Sequence, residues 1–100
     1  MSRPEKRSLN LLGHATSVSL EAEFWAAFRR IAATRGKALN ALAADIDAAR
    51  PPDTGLASAI RVFVLRDLEG RLDRLADAYA DRHPDLRGDL RGDQRSGGIE

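Results

Sequence analysis

One short segment near the start of the chain alternates strictly between hydrophobic and polar positions. In Ala15–Leu20, the side chains of Thr16, Val18 and Leu20 share one side, and small or hydroxyl side chains occupy the other. β-branched and hydroxyl residues with a period of two are typical of a half-buried strand. The pattern therefore predicts a strand here.

The residues just before this strand follow a different phase. Leu9 and Leu11 occupy odd positions, whereas the apolar positions of the strand are even, and Gly13 separates the two segments. A glycine inside a strand pattern often marks a bend. We expect Ser8–Leu12 to be an arm, or a second strand piece kinked at Gly13.

From Glu21 onward the period becomes helical. Apolar residues recur at the i, i+3, i+4 and i+7 spacing that builds one face of a helix. That face comprises Phe24, Trp25, Phe28, Ile31 and Ala32. Glu21 and Glu23 suit the first turn of a helix, and Arg35-Gly36 supplies a basic last turn followed by a terminating glycine.

A second helix is predicted over Leu39–Ala49. Leu42 and Ile46 lie on its apolar stripe, and Pro51 and the proline after it stop the helix. The residue before the helix, Ala38, has no side-chain oxygen to cap it.

A third helix should begin after Asp53 or Thr54, either of which can cap it. Its first half is apolar nearly all round, which predicts deep burial. These apolar positions are Ala57, Ala59, Ile60, Val62, Phe63, Val64 and Leu65.

The same helix is predicted to continue to about residue 82. Apolar residues repeat there with the 3,4,3,4 spacing of a short heptad pattern, although Gly70 interrupts it. We name these residues the leucine seam: Leu65, Leu68, Leu72, Leu75 and Tyr79.

A single strand leaves its backbone donors and acceptors without partners. We expect the same strand of a second copy to pair with it antiparallel about a two-fold axis, giving an obligate homodimer with a shared core. The alternative is a hairpin within the chain, bent at Gly13. The expected dimer core comprises Val18, Leu20, Phe24, Phe28, Ile31, Leu42, Ile46, Ile60, Phe63 and Val64.

Composition narrows the class of protein. The chain has 100 residues, a net charge of +1 and no cysteine, which excludes a disulfide scaffold and a thiolate zinc site. The first half is basic and the second half slightly acidic, which is typical either of an ordinary solvated surface or of an anionic partner for the first half. No secretory signal or membrane-spanning stretch is evident, so we expect a cytoplasmic protein that does not engage membranes.

The residues that carry chemistry in enzymes are sparse. There is no Gly-rich phosphate loop, no metal-ligand cluster and no convincing Ser-His-Asp set, so we expect neither an enzyme, a cofactor nor a metal. His14 could serve as a ligand supplied twice across the two-fold axis, or be a strand-edge histidine bonded to backbone or phosphate. His83 lies at the end of the third helix.

Five segments together resemble the ribbon-helix-helix superfamily. They are Lys6–Ser8, Gly13–Glu21, Phe24-Trp25, Arg35–Leu42 and Ser58–Leu65. The chain looks most like a short bacterial branch with an added third helix, and the resemblance covers roughly residues 6–69. It implies a mainly α homodimer with one N-terminal strand per chain paired across the dimer, then three helices.

The resemblance also implies binding to double-stranded DNA and transcription regulation. The ribbon would enter the major groove with Ala15, Ser17 and Ser19 facing outward, while the arm and the start of the second helix would contact phosphates. The nucleic-acid-binding residues expected on this basis are Lys6, Arg7, His14, Ala15, Ser17, Ser19, Lys37 and Asn40.

The resemblance and the composition divide the chain into four parts. Residues 1–7 are predicted as a flexible basic arm and 8–69 as the dimerisation and DNA-binding domain. Residues 70–82 form a helical extension. The stretch 83–100 is rich in Gly, Asp and Arg and contains the tetrapeptide Asp-Leu-Arg-Gly twice. It is predicted to be a disordered tail.

Two functional hypotheses follow. The first is a dimeric DNA-binding regulator, with a dimer of dimers also compatible. The second is a protein-interaction or oligomerisation module that keeps the fold without reading sequence, since Ser17 and Ser19 discriminate poorly between bases. Its partner would bind through Leu68, Leu72 and Leu75.

Overall fold

The chain forms two strands followed by three helices. A computed structural model describes residues 3–82. The elements are β1 Pro4–Leu11, β2 His14–Glu21, α1 Ala22–Thr34, α2 Leu39–Ala49 and α3 Leu56–Arg82. The predicted class, mainly α with an N-terminal ribbon and three helices, is confirmed.

The ribbon is a hairpin within one chain. β1 and β2 pair antiparallel, with Leu9 opposite Thr16 and Leu11 opposite His14. The expectation of one unpaired strand per chain is therefore wrong, and the alternative of an intrachain hairpin holds. A two-residue turn pairs odd-numbered residues of β1 with even-numbered residues of β2. The odd positions of Leu9 and Leu11 therefore bring the apolar residues of both strands to one face of the ribbon.

The turn consists of Leu12 and Gly13. Both have positive φ, 56° and 85°, as both central residues of a type I′ hairpin turn must. The side-chain oxygen of Asn10 accepts a hydrogen bond from the Gly13 N–H at 2.8 Å. Leu12 is 94% exposed at the tip.

The predicted basic arm is wrong from Pro4 onward, because these residues belong to β1. The indole N–H of buried Trp25 donates a hydrogen bond to the backbone oxygen of Glu5 at 2.8 Å. The Arg7 guanidinium lies 5.1 Å from the centroid of the same indole ring and pairs with Glu5. A core tryptophan thus fixes the segment expected to be loose.

Helices α1 and α2 agree with the sequence pattern. α2 has the predicted bounds, and α1 ends one residue before Arg35. Gly36 has a φ of 67°, and the Lys37 N–H donates to the Ala32 oxygen at 2.9 Å, which closes the end of α1.

A single chain closes a hydrophobic core. The two strands supply one wall, and the apolar faces of the helices pack against it. The buried residues are Leu9, Leu11, Val18, Leu20, Trp25, Ala27, Phe28, Ile31, Ala32, Leu42, Ala43, Ile46, Ile60 and Val64. Phe24 and Phe63, also expected in the core, are half-buried and pack against it.

The expected deep burial of the first half of α3 is wrong. Ile60 and Val64 are buried, but Val62 and Leu65 point to solvent. One face of the helix covers the core of this chain, and the opposite apolar face has no cover within residues 3–82.

The chain divides into two compact units, one ending at Asp67 and one starting at Leu68. In the second unit α3 continues to Arg82, as predicted, and exposes Leu72 and Leu75. The predicted tail, residues 83–100 with His83, lies outside the described residues. None of the helices within residues 3–82 has an apolar stretch suited to spanning a bilayer.

Candidate nucleic-acid interface

The outer face of the ribbon is polar and exposed. In an antiparallel pair, residues directly opposite each other project to the same side. Val18 and Leu20 face the core. The alternate positions of β2, and the β1 residues opposite them, therefore face outward. Apart from the end pair of Pro4 and Glu21, whose carboxylate binds Arg61 on α3, the outward cross-strand pairs are Lys6 with Ser19, Ser8 with Ser17, and Asn10 with Ala15.

The structure therefore places Ala15, Ser17 and Ser19 outward, as the sequence predicted, and adds three residues from β1. Of the two predicted arm cations, Lys6 joins this outer face. The Lys6 side chain forms no ion pair with any of residues 3–82. Its ammonium group is available to an external anion.

Two other predicted binding residues project to the opposite side of the ribbon. Arg7 lies opposite the buried Val18 and is held by Trp25 and Glu5. His14 lies opposite Leu11 beside the turn and is exposed. Neither residue is brought next to the outward serines.

The start of α2 lies beside the turn end of the ribbon. The side-chain oxygen of Asn40 accepts a hydrogen bond from the Asn10 N–H at 3.1 Å. Asn40 thus links α2 to β1. The first N–H groups of α2 have no acceptor inside the helix, as at any helix start, and Ala38 supplies no side-chain cap for them. Such a helix start favours an anion.

Several other cations of the first unit pair with carboxylates. Lys37, predicted to contact phosphate, pairs with Asp45 on α2. Arg35 pairs with Asp67, and Arg50 pairs with Asp47. Ion pairs exposed to solvent contribute little to stability, so replacing Asp45 by another anion at Lys37 would cost little.

The far end of the ribbon is held by α3. Arg61 donates hydrogen bonds to both carboxylate oxygens of Glu21, at 3.0 and 3.3 Å. A backbone hydrogen bond within Glu21, with the hydrogen bond from Arg61, lowers the pKa of the Glu21 carboxyl below its ordinary value. The contact between Glu21 and Arg61 ties the strand end to α3.

Sequence reasoning missed Ser8 and Asn10 because it did not pair β1 with β2. The sequence did contain the information. Leu9 and Leu11 alternate with Ser8 and Asn10, so burial of the two leucines places Ser8 and Asn10 on the other face of the strand. Within residues 3–82, no three potential ligand side chains cluster so as to hold a metal ion.

The chain is thus a small, mainly helical protein built around a two-stranded β-ribbon, and the outer face of that ribbon is polar. Residues 4–68 match the ribbon-helix-helix domain family, and the chain belongs to it. The family generally includes DNA-binding transcription regulators, its fold is non-enzymatic, and its members typically dimerise. The chain matches no curated protein and no solved structure at a significant level.

Proposed function

We propose that this protein is a DNA-binding transcriptional regulator that inserts the outer face of its ribbon into the major groove. The observation that carries the proposal is the exposed polar face of β1 and β2, backed by a hydrophobic core. Family membership supports it.

The dimensions of the ribbon suit the groove. Two strands lie about 4.8 Å apart, and the major groove is about 12 Å wide. In the three outward pairs, every side chain except Lys6 is short, so the backbone of the ribbon can approach the base edges closely. Ser17 and Ser19 can donate to or accept from either base type.

Phosphate contacts would come from three places around the ribbon. At one end, Lys6 offers an ammonium group that forms no ion pair within residues 3–82. The start of α2 offers free backbone N–H groups near the turn, with Lys37 beside it. Each neutralised phosphate contributes a slope of about −0.9 to the dependence of log affinity on log salt.

The test is binding of the full chain to a randomised duplex library at two salt concentrations. Lys6→Ala should weaken binding and reduce the salt slope by about 1, because it removes one phosphate or base-edge cation. Arg7→Ala is the matched control: it removes an equal charge from the inner face, so it should lower stability more than it changes the salt slope.

A flat salt response, or no retention of any duplex at low salt, would contradict DNA binding. Equal effects of the two substitutions on the slope would contradict the assignment of Lys6 to the interface. Both variants are checked by circular dichroism, so that loss of fold is separated from loss of binding.

A second candidate function is favoured by the exposed apolar face of the second unit. Leu72 and Leu75 are 64% and 67% exposed, and Leu68 and Tyr79 lie on the same helical stripe. Apolar side chains repeating at heptad-like spacing pair well with another helix. On this account the second unit is an oligomerisation module, and its partner is a second copy of the chain.

Light scattering tests this candidate. Leu72→Asp should lower the oligomeric state at micromolar concentration, whereas Asp73→Ala on a neighbouring exposed position should leave it unchanged. An unchanged oligomer in Leu72→Asp would exclude the leucine seam as the contact.

A further inference from the structure

A cleft lies between the end of α2 and the first half of α3. Its described lining residues all come from these two helices and the loop that joins them, and all belong to the first unit. The cleft has a volume of about 390 Å³. Sites that take a small molecule usually have roughly 300–1,000 Å³. The cleft is therefore large enough for a ligand that is separate from the ribbon and its partner.

Much of the cleft lining is apolar. Ile46 on α2 is buried, and Phe63 on α3 is half-buried. Val62 is 43% exposed, so its side chain is accessible from solvent. Removing the apolar surface of a ligand from water against such side chains favours binding. The lining therefore selects a ligand with an apolar body.

Arg50 brings a fixed guanidinium group to this lining. Its Nε donates to Oδ1 of Asp47 at 2.8 Å, and its Nη1 donates to the backbone oxygen of Thr54 at 2.7 Å. Its Nη2 donates to no atom of residues 3–82. A guanidinium held in this way loses little conformational entropy when it binds an anion.

Arg66 brings a second guanidinium group from α3. It is exposed, and it forms no ion pair within residues 3–82. Among the described residues, those that line the cleft include no Asp or Glu. Asp47 compensates the charge of Arg50, so one positive charge is left uncompensated at the cleft. The cleft therefore favours a ligand with a single negative charge.

We propose that this cleft binds a small molecule that carries one carboxylate on an apolar body. The carboxylate binds Arg66 and the free Nη2 of Arg50, because a guanidinium matches a carboxylate in charge and in geometry. The apolar body lies against Val62 and Phe63. A phosphate group carries close to two negative charges at neutral pH and matches the single uncompensated charge less well.

A second copy of the chain is the competing occupant, since members of the family typically dimerise. The charge at the cleft opposes it. A two-fold contact centred on this cleft would place the same surface of both copies face to face, and would bring two uncompensated Arg66 side chains toward each other. Like charges repel, so the cleft suits an anionic ligand better than a second copy.

The experiment titrates the full chain with three probes, octanoate, phenylbutyrate and naphthylacetate, and with the neutral amide of each. Two-dimensional amide NMR spectra report binding. We expect at least one carboxylate to shift the backbone signals of residues at the cleft, including Val62 and Phe63. It should bind about tenfold more tightly than the amide with the same body, because the amide cannot form a charge-assisted pair with the guanidinium groups.

Two variants test the charge. Arg66→Met keeps an apolar stem and removes the guanidinium, so it should weaken binding of the carboxylate about tenfold and leave the affinity for the amide unchanged. A change in folding alone would affect both probes. Arg29→Met is the matched control, because it removes an equal charge from an exposed position of α1, outside the cleft. It should change neither affinity.

Four results would overturn the proposal. They are binding of none of the three carboxylates, equal affinity for acids and amides, equal loss in Arg66→Met and Arg29→Met, and cleft signals that shift with protein concentration instead of with the probes. The last result would assign the cleft to a second copy. The titrations contain no DNA, so their failure would leave the proposed function intact, and failure of DNA binding would leave this proposal intact.

Discussion

Trp25 joins the ribbon to the hydrophobic core. It is the chain's single tryptophan, it is fully buried, and it binds β1 through the Glu5 backbone while Arg7 stacks on its ring. The apolar pattern of α1 predicted that this side chain belongs to the core. The pattern could not predict the bond from the indole N–H, because that bond depends on where β1 lies.

Trp25→Phe should lower the free energy of unfolding by about 2 kcal/mol, because it removes a buried hydrogen bond and leaves a small cavity. The measurement is urea unfolding followed by far-ultraviolet circular dichroism. Phe28→Leu, a comparable loss of volume in the same helix without loss of a hydrogen bond, is the control. If Trp25→Phe is as stable as the wild type, the indole does not anchor β1.

Glu21 makes the stability of the folded chain depend on pH. The folded state holds the pKa of this carboxyl below its ordinary value, so the folded state binds the proton less readily than the unfolded chain does. The stabilisation from Glu21 is therefore present above the unfolded pKa, and is lost as the pH falls through the lower pKa of the folded state.

Glu21→Gln should be less stable than the wild type near neutral pH, and the difference should shrink as the pH falls below the ordinary pKa of a glutamate carboxyl. The measurement is a series of urea titrations over that pH range, followed by the fluorescence of the buried Trp25. A difference that is constant or grows as the pH falls would contradict the contact between Glu21 and Arg61.

Among the elements, the hairpin was the hardest to predict. Type I′ turns favour the dipeptide Asn-Gly, and Leu12-Gly13 matches it only at the glycine. The helices were easier, because the apolar period of α1 and α2 and the residues that end them agree with the structure. Once β1 is paired, the outward positions of both strands follow from alternation alone.

Leu12→Asn should raise the free energy of unfolding by about 1 kcal/mol, because asparagine tolerates the left-handed conformation better than leucine does. Leu12→Ala removes similar exposed apolar surface but keeps the backbone cost, so it is the matched control. The measurement is the thermal unfolding of the wild type and of the two variants. An equal gain in both variants would mean that exposed surface, and not backbone conformation, limits the stability of the turn.

At the scale of the whole molecule, burial of α3 could not be predicted from the sequence. The apolar residues on its outer face look the same in sequence as those on its inner face, and only the chain packed beneath the helix decides which are covered. The core, in contrast, closes without a second copy.

The most direct test of this account is a pair of cysteines at directly opposite positions of the ribbon, Ser8→Cys with Ser17→Cys, in a chain that has no other cysteine. Opposite residues of an antiparallel pair have Cα atoms about 4.5–5.5 Å apart, which a disulfide can bridge. Ser8→Cys alone is the control, because it can only join two chains. After mild oxidation, denaturing electrophoresis without reductant should show the double variant as a single-chain species. A disulfide-linked dimer in its place would contradict the intrachain ribbon.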